Sequence, residues 1–220
     1  AESTVGIGHT RWSTHGEPTE QNAHPHTDCT GDVAVVHNGI IENYDALKAE
    51  LRDTHVFESD TDTEVIPHLI ETHLADDVSL VTAVQRATTQ LEGSYAIAVT
   101  AAGRDGLVIA REDSPLLIGH GDEATYVGSD ATAFIEHTNR VTYLESGDIA
   151  HLTPGDVTVY NGGEHVARET ETLEWDADAA GKSGYDHYML KEIHEQPRAL
   201  RQAISSRIND LETTVDLDLS

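Results

Sequence analysis

The spacing of apolar positions changes character along the chain. Val33-Ala34-Val35-Val36 is an unbroken apolar run of four, which predicts a buried strand. It ends at His37-Asn38-Gly39, where Asn-Gly predicts a tight turn. Beyond it, Tyr44, Leu47 and Leu51 recur at helical spacing within 43–53. Thr61-Asp62-Thr63-Glu64 has the form of a capping box, and Val65, Ile66, Leu69 and Ile70 then supply the apolar face of a second helix. Pro67 sits inside that helix rather than at its first position, so its first turn should start late or bend. A third helix is predicted over 79–91, with Leu80, Val84 and Leu91 inward and Gly93 as its stop.

From Tyr95 onward the helical period gives way to short apolar segments punctuated by Gly, Asp, Ser and Pro. Strands are predicted over 95–100, 107–111, 116–119, 125–128, 141–144, 149–152 and 157–160, with a short helix over 130–137. Helices followed by a meander of strands predict an α+β fold with layered, mostly antiparallel sheets. Residues 169–184 are acidic and poor in apolar side chains, which reads as an extended loop. A last helical pattern begins at 188–193, breaks at Pro197 and resumes through Leu200, Ile204 and Ile208; residues 210–220 lose the pattern and read as a linker.

Composition narrows the function classes. Leu, Ile, Val and Phe total 49 of 220 residues, enough for a folded domain with a lean core. Forty acidic residues face 13 basic ones, a formal net charge of −27. That balance opposes phosphate binding, which needs clustered Lys and Arg, and opposes docking on an anionic membrane. Neither a nucleic-acid nor a membrane partner is therefore expected, and no apolar run approaches the length of a membrane-spanning helix. Only three of the basic residues are Lys, and the acidic ones are spread along the chain, as suits a protein working in concentrated salt. The single cysteine, Cys29, excludes an internal disulfide framework and fits a reducing cytoplasm.

Three stretches are too rich in special residues to be ordinary core: 9–16, 22–26 and 37–43. Five of the 14 histidines fall within 9–37, so a metal site is the first alternative, with His24 and His26 as ligands. The intervening Pro25 and the lack of a His-x-x-x-His or Cys-x-x-Cys pair weigh against it, and no metal or cofactor is expected. An amide-hydrolase site uses other residues. Arg11 offers a planar fork for a carboxylate, Asp62 an anion for an ammonium, and Asn38 with Gly39 the donors of an oxyanion hole. Together they describe a pocket for an amino-acid amide. Each also has an ordinary reading, a turn for Asn-Gly and a helix cap for Asp62.

The run GHTRWSTHGEPTEQNAHPH, followed by VVHNGIIENYDALKAEL and SDTDTEVIPHLI, resembles the glutaminase domain of the glutamine–fructose-6-phosphate aminotransferases. The likeness continues through GSYAIAV, SPLLIG, SDATAF, LESGDIA and YDHYMLKEIHEQP, nearly the whole chain. It implies an N-terminal-nucleophile hydrolase, an αββα four-layer sandwich. It assigns Arg11, Thr14 and His15 to the α-carboxylate of glutamine, Asp62 to the α-ammonium, Asn38 and Gly39 to the oxyanion hole, and Trp12 to a gate beside the site. It further implies a cytoplasmic parent enzyme, expected to be a homo-oligomer, that passes glutamine-derived ammonia to fructose 6-phosphate in a sugar isomerase half.

The family's nucleophile is an N-terminal cysteine acting with its own α-amino group. The present sequence starts at Ala1, and Cys29 lies inside the chain, in a segment that reads as a turn. The expectation is thus a domain (1–185) short of its first strands and nucleophile, followed at 186–220 by the start of a linker. Such a chain would bind glutamine weakly and not hydrolyse it. The rival from another class is a non-catalytic glutamine-binding or regulatory module.

Overall fold

The computed structural model describes residues 4–11, 16–174, 190, 193–194, 196, 208–209 and 214–215. Contacts divide the chain into two units, Ala1–Leu173 and Glu174–Ser220. In the first, seven strands form one antiparallel sheet in the order β1-β2-β3-β4-β8-β9-β10. They are β1 (His26–Thr27), β2 (Val33–Ile41), β3 (Gly93–Ala101), β4 (Leu107–Glu112), β8 (Asp148–Thr153), β9 (Asp156–Asn161) and β10 (Glu164–Val166). A second sheet runs β11-β7-β5-β6, from β5 (Leu117–His120), β6 (Thr125–Gly128), β7 (Arg140–Tyr143) and β11 (Glu171–Thr172).

Strand alternation builds the layers. Val33, Val35, Ile97, Val99, Val108 and Ala110 point to one face of the large sheet, where they bury the apolar stripes of α1 (Tyr44–Leu51), α2 (Val65–Leu74) and α3 (Leu80–Thr88). Their neighbours Ala96, Ala98, Ile109, Ala150 and Leu152 point the other way, onto Leu116, Ile118 and Leu144 beside and within the small sheet. Leu117 and Val141, on the outer face of that sheet, are covered by Ala131 and Phe134 of a 3₁₀ turn, Ala131–Ala133, and its flank. The layer order is therefore that of an αββα sandwich, with the 3₁₀ turn on the outer side of the second sheet. No helix among the described residues is long and apolar enough to cross a membrane.

Several elements depart from the sequence expectation. The run that begins at Val33 does not stop at Asn38-Gly39: β2 continues to Ile41 because β3 pairs with all nine of its residues, from Val33 opposite Ala101 to Ile41 opposite Gly93. Gly93 therefore opens a strand rather than closing α3, which ends at Thr88. The helix expected over 130–137 is only the 3₁₀ segment and the hydrogen-bonded turns after it. Three short strands of this unit, β1, β10 and β11, were not anticipated, and β11 falls in the stretch read as a loop. Of the second unit, β12 (Ile208–Asn209) pairs antiparallel with β13 (Thr214–Val215), and Leu190, Ile193, His194 and Gln196 are helical. Ile208, expected to continue the terminal helical pattern, thus lies in a strand, as do Thr214 and Val215 in the stretch read as a linker; Pro197, Leu200 and Ile204 lie outside the described residues.

Candidate functional site

The site is built on the end of β2. Val33, Val35 and His37 are buried by alternation, and Asn38, Gly39 and Ile40 emerge into solvent before Ile41 turns back to the core. Gly39 has φ +129°, and a Cβ there would lie 2.0 Å from the Ser94 carbonyl oxygen on β3. Glycine is required at 39 so that the strand can kink without leaving its partner. The kink presents the Asn38 side chain outward. Its Oδ1 meets Nε2 of His9, which must carry the proton in that bond, and its Nδ2 donates to Ser129 Oγ at 2.8 Å. These two contacts fix which way the amide faces and leave the second Nδ2 hydrogen for an incoming carbonyl oxygen.

Asp62 arrives from the loop before α2. It is buried, and its Oδ2 accepts the backbone N–H of Ile41 at 2.8 Å, while Thr63 Oγ1 donates to Oδ1 at 3.4 Å. The capping box expected here does not form. Thr61 Oγ1 is engaged with Ser59 Oγ and His26 Nε2 rather than with a helix N–H, and α2 begins only at Val65 without a side-chain cap. Starting there brings Pro67 into the first turn, where its missing N–H breaks no helical bond. Glu64 does reach back, but further: its carboxylate accepts the N–H groups of Glu58 and Ser59 and the Ser59 hydroxyl. Burial alone would raise Glu64, yet the adjacent His68 ring and the bonds donated by Glu58 and Ser59 outweigh it and bring its carboxyl down to about 2.

Arg11, Asn38, Gly39 and Asp62 line one cleft of about 510 Å³, together with His9, His24, His37, Thr63 and Ser94. Arg11 donates from Nη1 to the Glu17 carbonyl at 2.8 Å and from Nη2 to the Gly16 carbonyl at 3.1 Å, which holds its guanidinium beside the cleft. Trp12, Thr14 and His15 lie outside the described residues. The histidines pack ring on ring: His24 stacks on His9 with centroids 4.3 Å apart and meets His26 edge-on at 4.9 Å. Burial, with the neighbouring His9, His26, His37 and Arg11, lowers His24 to about 3; burial outweighs the attraction of Asp62 and lowers His37 to about 4. The His24 and His37 rings are therefore neutral near pH 7, and Arg11 and Asp62 bring opposite charges to the cleft.

His24 and His26, the ligands of the metal alternative, are spent on structure. His24 Nδ1 accepts the His37 backbone N–H at 3.2 Å, and His26 Nε2 bonds Thr61 Oγ1 at 3.0 Å. Cys29 sits in an exposed turn and does not line the cleft. Ser94 and Ser129 had not been singled out, and His9 and His37, though inside the residue-rich stretches, had been given no role in the site. Ser129 belongs to the SDATAF run and Ser94 to the GSY run, but nothing in their local spacing marks them.

A fixed cation, a buried anion and an oriented amide donor around one cleft suit a zwitterionic ligand that carries a carbonyl. Residues 9–136 match the family described as a glutamine amidotransferase domain. The chain is 77% identical over 218 residues to glutamine–fructose-6-phosphate aminotransferase [isomerizing] of Halobacterium salinarum, a match covering 99% of this chain and 36% of that protein. Against the enzyme of the same name from Methanothermobacter thermautotrophicus it is 49% identical over 205 residues, 92% of this chain and 35% of the relative. The chain thus spans little more than a third of the length of these relatives. Among solved structures it is similar to glutamine phosphoribosylpyrophosphate amidotransferase from B. subtilis complexed with ADP and GMP. That match has a TM-score of 0.50 and 25% identity, over 76% of this chain and 34% of that one.

Proposed function

Because the chain belongs to the glutamine amidotransferase domain family, we propose that it forms the glutamine-using part of a glutamine–fructose-6-phosphate aminotransferase. The observation that carries this reading is the convergence of Arg11, Asn38, Gly39 and Asp62 on one cleft. Glutamine binds with its α-carboxylate toward Arg11, aided by Thr14 and His15, and its α-ammonium against Asp62. Its side-chain carbonyl meets the Nδ2 of Asn38 and the N–H of Gly39, and Trp12 gates the cleft. This chain supplies the pocket and the oxyanion hole. In the parent enzyme the thiolate of an N-terminal cysteine, which is not among these 220 residues, would add to the amide carbon. The C–N bond would break as the nitrogen takes a proton from that cysteine's α-ammonium and leaves as ammonia, and water would hydrolyse the thioester to glutamate and the free thiol. Asn38 and Gly39 act at the point where charge gathers on the carbonyl oxygen. The thiol is not that of Cys29, which does not line the cleft. The ammonia is destined for fructose 6-phosphate, in a cytoplasm rich in salt.

The reading is tested by calorimetric titration with glutamine and with two truncated analogues, one lacking the α-amino group and one lacking the α-carboxylate. Glutamine should bind, and each truncation should weaken binding by about tenfold or more, the usual cost of leaving a buried charge without its partner. Equal binding of all three would remove Arg11 and Asp62 from the site.

A further inference from the structure

On the side of α2 away from the cleft, three kinds of metal-ligating side chain meet. Cys29, in the turn between β1 and β2, places Sγ 3.7 Å from Nδ1 of His68, and Glu71 Oε2 lies 3.5 Å from the same nitrogen. One ligand atom from each of the three falls within 4.8 Å of the others, and among the described residues no other trio of His, Cys, Asp or Glu side chains converges in this way. His55, from the segment after α1, brings its Nε2 to 3.4 Å from Glu71 Oε2.

These separations have a geometric meaning. A tetrahedral zinc ion with bonds of about 2.3 Å to sulfur and about 2.0 Å to nitrogen and oxygen sets its ligands roughly 3.3–3.6 Å apart. The Cys29–His68 and Glu71–His68 spacings of 3.7 and 3.5 Å are those of tetrahedron edges to within a few tenths of an ångström.

The outer groups are also arranged as they are around a bound ion. The far nitrogen of His68, Nε2, is buried without a hydrogen-bond partner and lies 3.9 Å from the Glu64 carboxylate. Without an ion, the Glu71 carboxylate can only accept, so the His68 proton sits on Nδ1; a metal on Nδ1 moves that proton to Nε2, beside the Glu64 carboxylate, and gives the orphaned nitrogen a partner. His68 is buried, whereas Glu71 is partly and Cys29 fully solvent-accessible, so an ion can reach the site from outside.

We propose that Cys29, His68 and Glu71 bind a divalent transition-metal ion of the zinc class, with solvent completing the coordination. The donor set of one sulfur, one nitrogen and one oxygen selects such an ion over Mg²⁺ or Ca²⁺. Binding converts the Cys29 thiol to thiolate and releases its proton to solvent. The site is structural. It ties the β1–β2 turn to α2 and, through His68 and Glu64, to the loop carrying Asp62, so it is separate from the glutamine chemistry and does not depend on it.

Cobalt(II) reports the site directly, because Cys29 is the only thiol in the sequence. The full chain, stripped with chelator, is titrated with Co²⁺ and then with Zn²⁺. One equivalent of Co²⁺ should produce visible bands of tetrahedral cobalt together with a sulfur-to-cobalt charge-transfer band, and Zn²⁺ should displace both. Cys29→Ser should abolish the charge-transfer band. Glu71→Gln, at a partly exposed position that keeps α2 intact, should weaken binding beyond the roughly 10- to 100-fold typical of outer partners. Absence of the charge-transfer band at one equivalent would overturn the proposal. So would a band of the same affinity in Glu71→Gln, which would mean a thiol binding cobalt without the carboxylate.

Discussion

Asp62 accepts the backbone N–H of Ile41 at 2.8 Å, so a single carboxylate both ties the loop before α2 to the end of β2 and supplies the negative charge of the cleft. The two roles separate by substitution. Asp62→Asn keeps an oxygen for the Ile41 N–H and removes the charge; glutamine affinity should fall about tenfold or more with little change in melting temperature. Asp62→Ala should lose affinity to a similar degree and also about 1–3 kcal/mol of stability, the cost of an orphaned buried N–H. Calorimetry and thermal melts on both variants distinguish these outcomes, and unaltered glutamine affinity in Asp62→Asn would remove Asp62 from recognition.

Gly39→Ala should be severely destabilising. The new Cβ would sit 2.0 Å from the Ser94 carbonyl oxygen, which is backbone and cannot swing aside, at a residue with φ +129°. Strain and overpacking together predict a loss on the order of 3 kcal/mol. Denaturant unfolding checks this, and a loss below about 1 kcal/mol would mean that β2 and β3 separate easily at this point.

The same position shows where sequence reading succeeds and where it stops. Asn38-Gly39 carries a strong local turn signal, and locally the chain does kink there; the strand continues because nine consecutive pairings with β3 outweigh one glycine. Thr61 and Glu64 have the spacing of a capping box, but His26 and Ser59 compete for the threonine hydroxyl from elsewhere in the fold. That Arg11, Asn38, Gly39 and Asp62 would line one cleft was legible because their chemistry is distinctive and recurs in recognisable motifs. The partner that orients Asn38 was not, since Ser129 lies 91 residues further along the chain and reaches it only once the two sheets pack. Cys29 and His68 illustrate the same limit, 39 residues apart with no metal-motif spacing between them.

The ring cluster predicts a pH dependence of its own. His24 moves from an unfolded value near 6.5 to about 3 on folding, chiefly through burial. As pH falls below about 6.5 the unfolded chain takes up this proton first, so stability drains until about pH 3, where the folded ring protonates too. His37, lowered to about 4, acts in the same direction. NMR titration should find both rings still neutral at pH 5, and His24→Gln should flatten the stability profile between about pH 6.5 and 4. A His24 ring that titrates near 6.5 would sink this account.

Glu64 acts at lower pH. Its carboxyl falls from 4.5 to about 2 on folding because the bonds it accepts outweigh its burial. The stabilisation is complete above the unfolded value near 4.5 and is lost as pH falls through the folded value near 2. Its size is about 3 kcal/mol at neutral pH. Other carboxylates protonate in the same window and relieve repulsion, so the effect is read as a difference. Glu64→Gln should be less stable than the parent at pH 7, and the gap should close toward pH 2. A gap independent of pH would assign the effect to packing.

With a net charge of −27, the folded chain repels itself over its whole surface, and the described ion pairs offset little of this. Arg86 meets Asp76 at 2.9 Å on an exposed surface, where such a pair contributes at most about 1 kcal/mol. The strongest cluster, Arg168 on Asp148 and Glu145, uses one of only 13 basic residues. Molar salt shortens the screening length to about 3 Å, less than the spacing of most surface charges, and so removes most of the repulsion. It barely touches buried bonds such as those of Asp62. The melting temperature should therefore rise steadily from dilute buffer to molar KCl, with most of the gain below about 1 M, where the screening length changes fastest. NaCl at equal ionic strength should give a similar rise, since screening depends on ionic strength rather than on the cation. A curve that is flat or falling would show that the acidic surface is already tolerated without salt, and would separate the charge of this chain from any adaptation to its solvent.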